Sequence, residues 1–199
     1  MRFLPAFAVL SALTVHASAQ DNAKPAAPAG DTTQTVKVDI KGKRIEFRKV
    51  ETKNYTIEVP AGWEVGEETP FGQREITPSK SARLEGGAAM SSMTGPGLGK
   101  QGWDQLYQTS LFFITKFSPN GDKMKATAYK LGKSRQGFDT CSWTMNDLEG
   151  KPLQKLVILK HENGNILALG VKMPTTATTV SRGDLEAMFQ RMVETAIVK

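Results

Sequence analysis

Residues 153–173 read LQKLVILKHENGNILALGVKM, two apolar runs on either side of the turn signal HENG. Leu156 to Leu159 and Ile166 to Leu169 are apolar at consecutive positions rather than alternate ones. A strand with apolar side chains on both faces must be covered on both faces. The expected fold class is therefore α/β, with a central antiparallel β-sheet flanked by helices in an α/β/α layered arrangement.

Outward from this pair, the helices that would supply the two outer layers are legible. Ser181 and Asp184 have capping-box spacing, and Leu185, Met188, Phe189, Met192, Val193 and Ile197 follow at helical intervals to make a closing helix. Gln101 to Phe117 also changes period, with Trp103, Leu106, Tyr107, Ile114 and Phe117 on one side. Between the helices, KMKATAYKL (123–131) and GFDTCSWTMN (137–146) read as two further strands, with GKSRQG and DLEGKP as turns.

The amino-terminal half is strand-rich. VKVDIKGKRIEFRKV (36–50) alternates Val36, Val38 and Ile40, then Ile45 and Phe47, about a Lys-Gly turn, the period-2 pattern of a hairpin. In YTIEVPAGWEV (55–65), Tyr55, Ile57 and Val59 share a face until Pro60 ends the pairing, and Trp63 is expected to tuck under the sheet. FGQREITP (71–78) and ARLEGGAAMSSM (82–93) add two strands, the second carrying a small-residue surface, Gly86 to Ala89, suited to close helix packing or to a small apolar ligand.

GPGLGK (95–100) invites a nucleotide-binding reading, which the spacing excludes. Only three residues separate Gly95 from the Gly99-Lys100 pair where a phosphate-binding loop needs four, and Gln101 stands where Ser or Thr would hold Mg²⁺. The segment is expected to be a strand-to-helix connector.

The segment Tyr55-Thr56-Ile57-Glu58-Val59-Pro60-Ala61-Gly62-Trp63, the Trp103 helix, the long strand run and the Phe189 helix together resemble the PsbP superfamily, which includes Ran-binding Mog proteins and periplasmic DcrB-type proteins. The resemblance spans roughly residues 36–199. It implies a central antiparallel sheet flanked by helices. It implies no single function, and no functional motif carries over.

The opening MRFLPAFAVLSALTVHASAQ has Arg2 in a short positive region, a mostly apolar stretch from Phe3 to Val15, and Ala17-Ser18-Ala19 as a small-x-small cleavage site. Residues 1–19 read as a signal peptide, Gln20 to Thr35 as a flexible Ala/Pro-rich lead, and 36–199 as a single domain. No transmembrane span is expected, since no apolar stretch reaches ~20 residues. The chain is expected to be exported, periplasmic or extracellular. Cys141 is the only cysteine, so no intrachain disulfide forms.

The formal charge of +6 falls to +5 without Arg2, and it is uneven. Lys41, Lys43, Arg44, Arg48 and Lys49 crowd the first hairpin and form a candidate surface for an anionic envelope component or protein partner. The competing reading is that lysines guard an exposed sheet edge. Nucleic acid is not expected, because no aromatic residues interleave with the basic run.

His161 is the only histidine beyond the leader, so no cofactor and no Cys/His metal centre is expected. One catalytic arrangement stays open. If the DLEGKP turn centres near Lys151, Cys141 falls across from His161, the pairing a hydrolase or thiol enzyme would use. Against it, Cys141 shares a face with Trp143 and Met145, an apolar stripe suited to a core. The sequence thus points first to a non-catalytic binding or accessory protein of the cell envelope, with the thiol enzyme and the apolar-ligand carrier as alternatives.

Overall fold

The structure is a computed structural model, and it describes residues 35–40, 42–70, 72–78, 89–118, 121–174 and 180–199. The expected leader, and the lead up to residue 34, lie outside the described residues. Among the described residues twelve strands form two sheets: β1 (Thr35–Ile40), β2 (Lys43–Glu51), β3 (Tyr55–Pro60), β4 (Glu64–Val65), β5 (Gln73–Thr77), β6 (Ala89–Gly95), β7 (Lys125–Ala126), β8 (Lys130–Lys133), β9 (Asp139–Asn146), β10 (Pro152–Lys160), β11 (Ile166–Lys172) and β12 (Ile197–Val198). Among the described residues two α-helices accompany them, α1 (Trp103–Phe117) and α2 (Arg182–Thr195).

The larger sheet has the order β4-β5-β6-β11-β10-β9-β7, with β8 also paired to β9, and the smaller one β1-β2-β3-β12. All of these pairings are antiparallel. The expected α/β/α layering is thereby overturned. Strand accounts for 46% and helix for 23% of the described residues, so the fold is β-rich rather than a sheet between helical layers.

The two-sided burial behind that expectation is present, but different elements provide it. On one face of the large sheet, Cys141, Trp143, Leu156, Ile158 and Ala168 pack with Leu106, Phe113 and Ile114 of α1. On the other, Val157, Leu159, Leu167, Leu169 and Val171 pack with Leu185, Phe189 and Met192 of α2 and with Phe47, Tyr55, Ile57 and Val59 of the small sheet. The hairpin strands are apolar on one side only, so they need an apolar partner face of their own. Packing them as a second sheet on the large one covers both at once.

Polar contacts fix how the sheets meet. The Tyr55 hydroxyl on β3 bonds the Ser92 hydroxyl on β6 at 2.8 Å, buried between the sheets. Burial raises the Tyr55 phenol above its ordinary pKa, the Ser92 bond opposing that shift. Arg191 on α2 grips Glu58 on β3 through two guanidinium nitrogens, at 2.7 and 2.8 Å. Ser181 caps α2 by accepting from the Asp184 N–H. The helix ends at Thr195, and Ile197, expected to be helical, lies instead on β12 opposite Thr56.

KMKATAYKL forms two short strands, not one. At the break, the Thr127 hydroxyl accepts the Thr144 N–H, replacing a ladder carbonyl. GPGLGK is the connector from β6 to α1, as expected. The Gly99 N–H donates to the Gly164 carbonyl at 2.9 Å, and a Cβ on Gly99 would lie 2.9 Å from that same peptide. These glycines permit the connector to press on the β10–β11 turn.

Because both faces of β10–β11 are covered, truncation on either should be costly. Ile158→Ala and Leu169→Ala are each expected to lose ~2–5 kcal/mol in urea denaturation, while exposed Val36→Ala stays within ~0.5 kcal/mol. A negligible loss at either core position would show that its face is open.

Candidate functional site

β9 alternates strictly. Cys141, Trp143 and Met145 are buried under α1, while Thr140, Ser142 and Thr144 are half-buried on the opposite face. There the cover formed by α2 is incomplete. A groove of about 460 Å³ remains, lined by Lys133, Ser134, Arg135, Thr140, Ser142, Lys155, Val157, Gln190, Val193 and Glu194. That volume lies within the usual range of small-molecule sites.

The cations enter from two directions. Lys155 lies opposite Thr144 on β10, and Lys133 lies opposite Asp139 on β8. Arg135 projects from the β8–β9 turn, which is held firmly: the Ser134 N–H donates to the Phe138 carbonyl, the Phe138 N–H donates back to Ser134 Oγ, and Gly137 adopts φ 88°. Gln136 ties the turn to α2 by donating to the Glu194 carbonyl at 3.4 Å.

Lys133 pairs with Asp139 at 2.8 Å. Arg135 and Lys155 have no side-chain partner among the described residues. On the helix side, Gln190 Nε2 donates to Glu194 Oε1 at 3.0 Å. The groove therefore offers two unpaired cations, three hydroxyls, an amide and one carboxylate, with Val157 and Val193 as its apolar lining.

The hairpin cations are engaged differently. Lys43 pairs with Asp184, Lys49 with Glu51, and Arg48 donates to the Trp63 carbonyl at 3.2 Å. Arg44 is exposed and has no side-chain partner among the described residues, and Lys41 lies outside them. Of the small-residue surface, 86–88 also lie outside, and Ala89 is buried in β6 opposite Lys172.

Cys141 and His161 are not brought together. Cys141 pairs with Ile158, three residues before His161 on the chain. The hairpin turns around Glu149, with Asp147 bonded to Lys151 and Gly150 at φ 86°, rather than around Lys151. His161 stacks near Phe138 at 5.6 Å, and its Nδ1 accepts the Asn163 N–H. Phe138 packs against the core beneath α2, whereas Cys141 faces the one beneath α1.

Burial pushes the Cys141 thiol up to about 11, with Asp104 adding to the shift and Lys160 opposing it. No group of three or more His, Cys, Asp or Glu side chains that could hold a metal occurs among the described residues. No helix among them is long and apolar enough to cross a membrane.

Sequence reasoning missed the groove because it took GKSRQG only as a turn and GFDTCSWTMN only as a strand. The signal was present in Thr140 and Ser142, polar residues alternating with buried Cys141, Trp143 and Met145.

No family model matches this chain, and no curated protein matches it.

A buried thiol held protonated should resist alkylation. Iodoacetamide at pH 8 is expected to label Cys141 slowly in native protein and rapidly in urea. The raised folded pKa stabilises the fold fully below the unfolded thiol value of about 9, and that contribution is lost as pH rises through about 11. Fast native labelling with a midpoint below ~8.5 would contradict this placement.

Proposed function

We propose that this protein is an exported, non-catalytic binding or accessory protein of the cell envelope, and that it engages an anionic partner through the groove between α2 and β8–β10. The observation that carries the reading is the pair of unpaired cations, Arg135 and Lys155, at a groove lined with hydroxyls. A cation without an internal counter-charge keeps its full attraction for an external anion. On the hairpin, Lys43 and Lys49 already face Asp184 and Glu51, whereas Arg48 meets only the neutral Trp63 carbonyl and Arg44 has no side-chain partner among the described residues. The groove sets hydroxyls and an amide beside its two cations, and on that ground it is favoured over the hairpin as the contact surface.

Export rests on the leader pattern of residues 1–19. The groove chemistry suits recognition. Its hydroxyls, amide and cations donate hydrogen bonds in several directions to a bound anion.

Retention on a dextran sulfate resin tests this reading. It should weaken steeply from 0.01 to 0.15 M salt, as the Debye length shortens from about 30 to about 8 Å. The double reversal Arg135→Glu with Lys155→Glu should abolish retention at 0.05 M salt, while Lys43→Glu with Arg44→Glu reduces it less than twofold. Retention that survives the groove reversal, or that is lost only on the hairpin reversal, would refute the groove as the contact surface.

A further inference from the structure

We infer that the ligand of this groove is a short acidic oligosaccharide, a chain of sugars bearing both anionic groups and free hydroxyls. The inference rests on the anion-binding role proposed above and narrows the chemistry of what is bound.

Three features of the groove point there. The first is the spacing of its cations. Arg135 stands on the β8–β9 turn that precedes Asp139, and Lys155 is level with Thr144 on β9, so the two unpaired cations flank Thr140 and Ser142 along the groove. A ligand meeting both ends carries charge at intervals along an extended chain.

The second feature is what lies between those ends. Thr140 and Ser142 present hydroxyls on the floor, and Ser134 adds a third at the turn. These groups are neutral and both donate and accept, which matches ring and exocyclic hydroxyls better than a continuous row of charge.

The third feature is Glu194. Gln190 occupies only its Oε1, and its Oε2 accepts nothing among the described residues. A carboxylate can only accept, so the ligand atom that meets it must donate. Sugar hydroxyls donate, whereas inorganic polyphosphate has no such group and would be repelled there.

The lining also excludes other classes. It contains no aromatic ring on which a nucleobase would stack, and Val157 and Val193 are too little apolar surface for an acyl chain.

Calorimetric titration of the full chain at 0.05 M salt with three probes tests this: an oligogalacturonate of four sugars, an uncharged maltotetraose, and inorganic polyphosphate of similar length. The oligogalacturonate should bind at least tenfold more tightly than either of the others. Arg135→Ala with Lys155→Ala should weaken it tenfold or more, with the urea midpoint unchanged. Glu194→Gln should weaken oligogalacturonate and strengthen polyphosphate. That opposite movement separates hydroxyl recognition from charge alone.

Polyphosphate binding as tightly as oligogalacturonate, with both sensitive to Arg135 and Lys155, would overturn the sugar assignment and leave the anion-binding role standing. Maltotetraose binding as tightly would overturn the role of charge. Absence of binding by all three would overturn both this inference and the reading it rests on.

Discussion

Leu156 and Ile158 on β10 point to one side of the sheet and Val157 and Leu159 to the other, and neither set can be left in water. Each such side chain contributes ~1.5–3 kcal/mol when fully buried. The β10–β11 pair therefore forces a cover onto each of its faces. The rest of the architecture follows from how the chain supplies them. α1 closes one side alone. The other needs α2 together with the small sheet, because β1, β2 and β3 have one apolar face each and no other surface to bury it against.

That second packing explains the polar contacts found between elements. The Tyr55–Ser92 bond satisfies two hydroxyls that the meeting of the sheets would otherwise strand. Glu58 and Arg191 hold α2 against β3, and Lys199 closes the small sheet by bonding Glu51 and the Thr52 carbonyl. These contacts set register and orientation, while the apolar faces supply most of the stabilisation.

The cover over the second face stops short of β9, and function is proposed where it stops. Thr140 and Ser142 line the opening left beside α2, and Lys155 lies alongside on the neighbouring strand. The register that creates this groove also separates Cys141 from His161. A shift of three residues along β10 would bring them level, and the Asp147–Lys151 turn forbids it.

Elements whose evidence is local were legible in the sequence: the first hairpin from its alternation, α1 and α2 from their periodicity and the Ser181 cap, the β6-to-α1 connector from its glycines, and the two-sided burial of β10 and β11 from consecutive apolar residues. Side-chain period and turn chemistry act within a few residues of chain, so sequence exposes them directly. What covers a buried face does not act locally. Leu159 and Leu169 demand an apolar neighbour without specifying whether a helix or another sheet provides it, and only the tertiary packing chose α2 with the hairpin sheet. The candidate groove is the same kind of outcome: Arg135, Lys155 and Glu194 are up to 59 positions apart in the chain and become neighbours only because β9, β10 and α2 meet there.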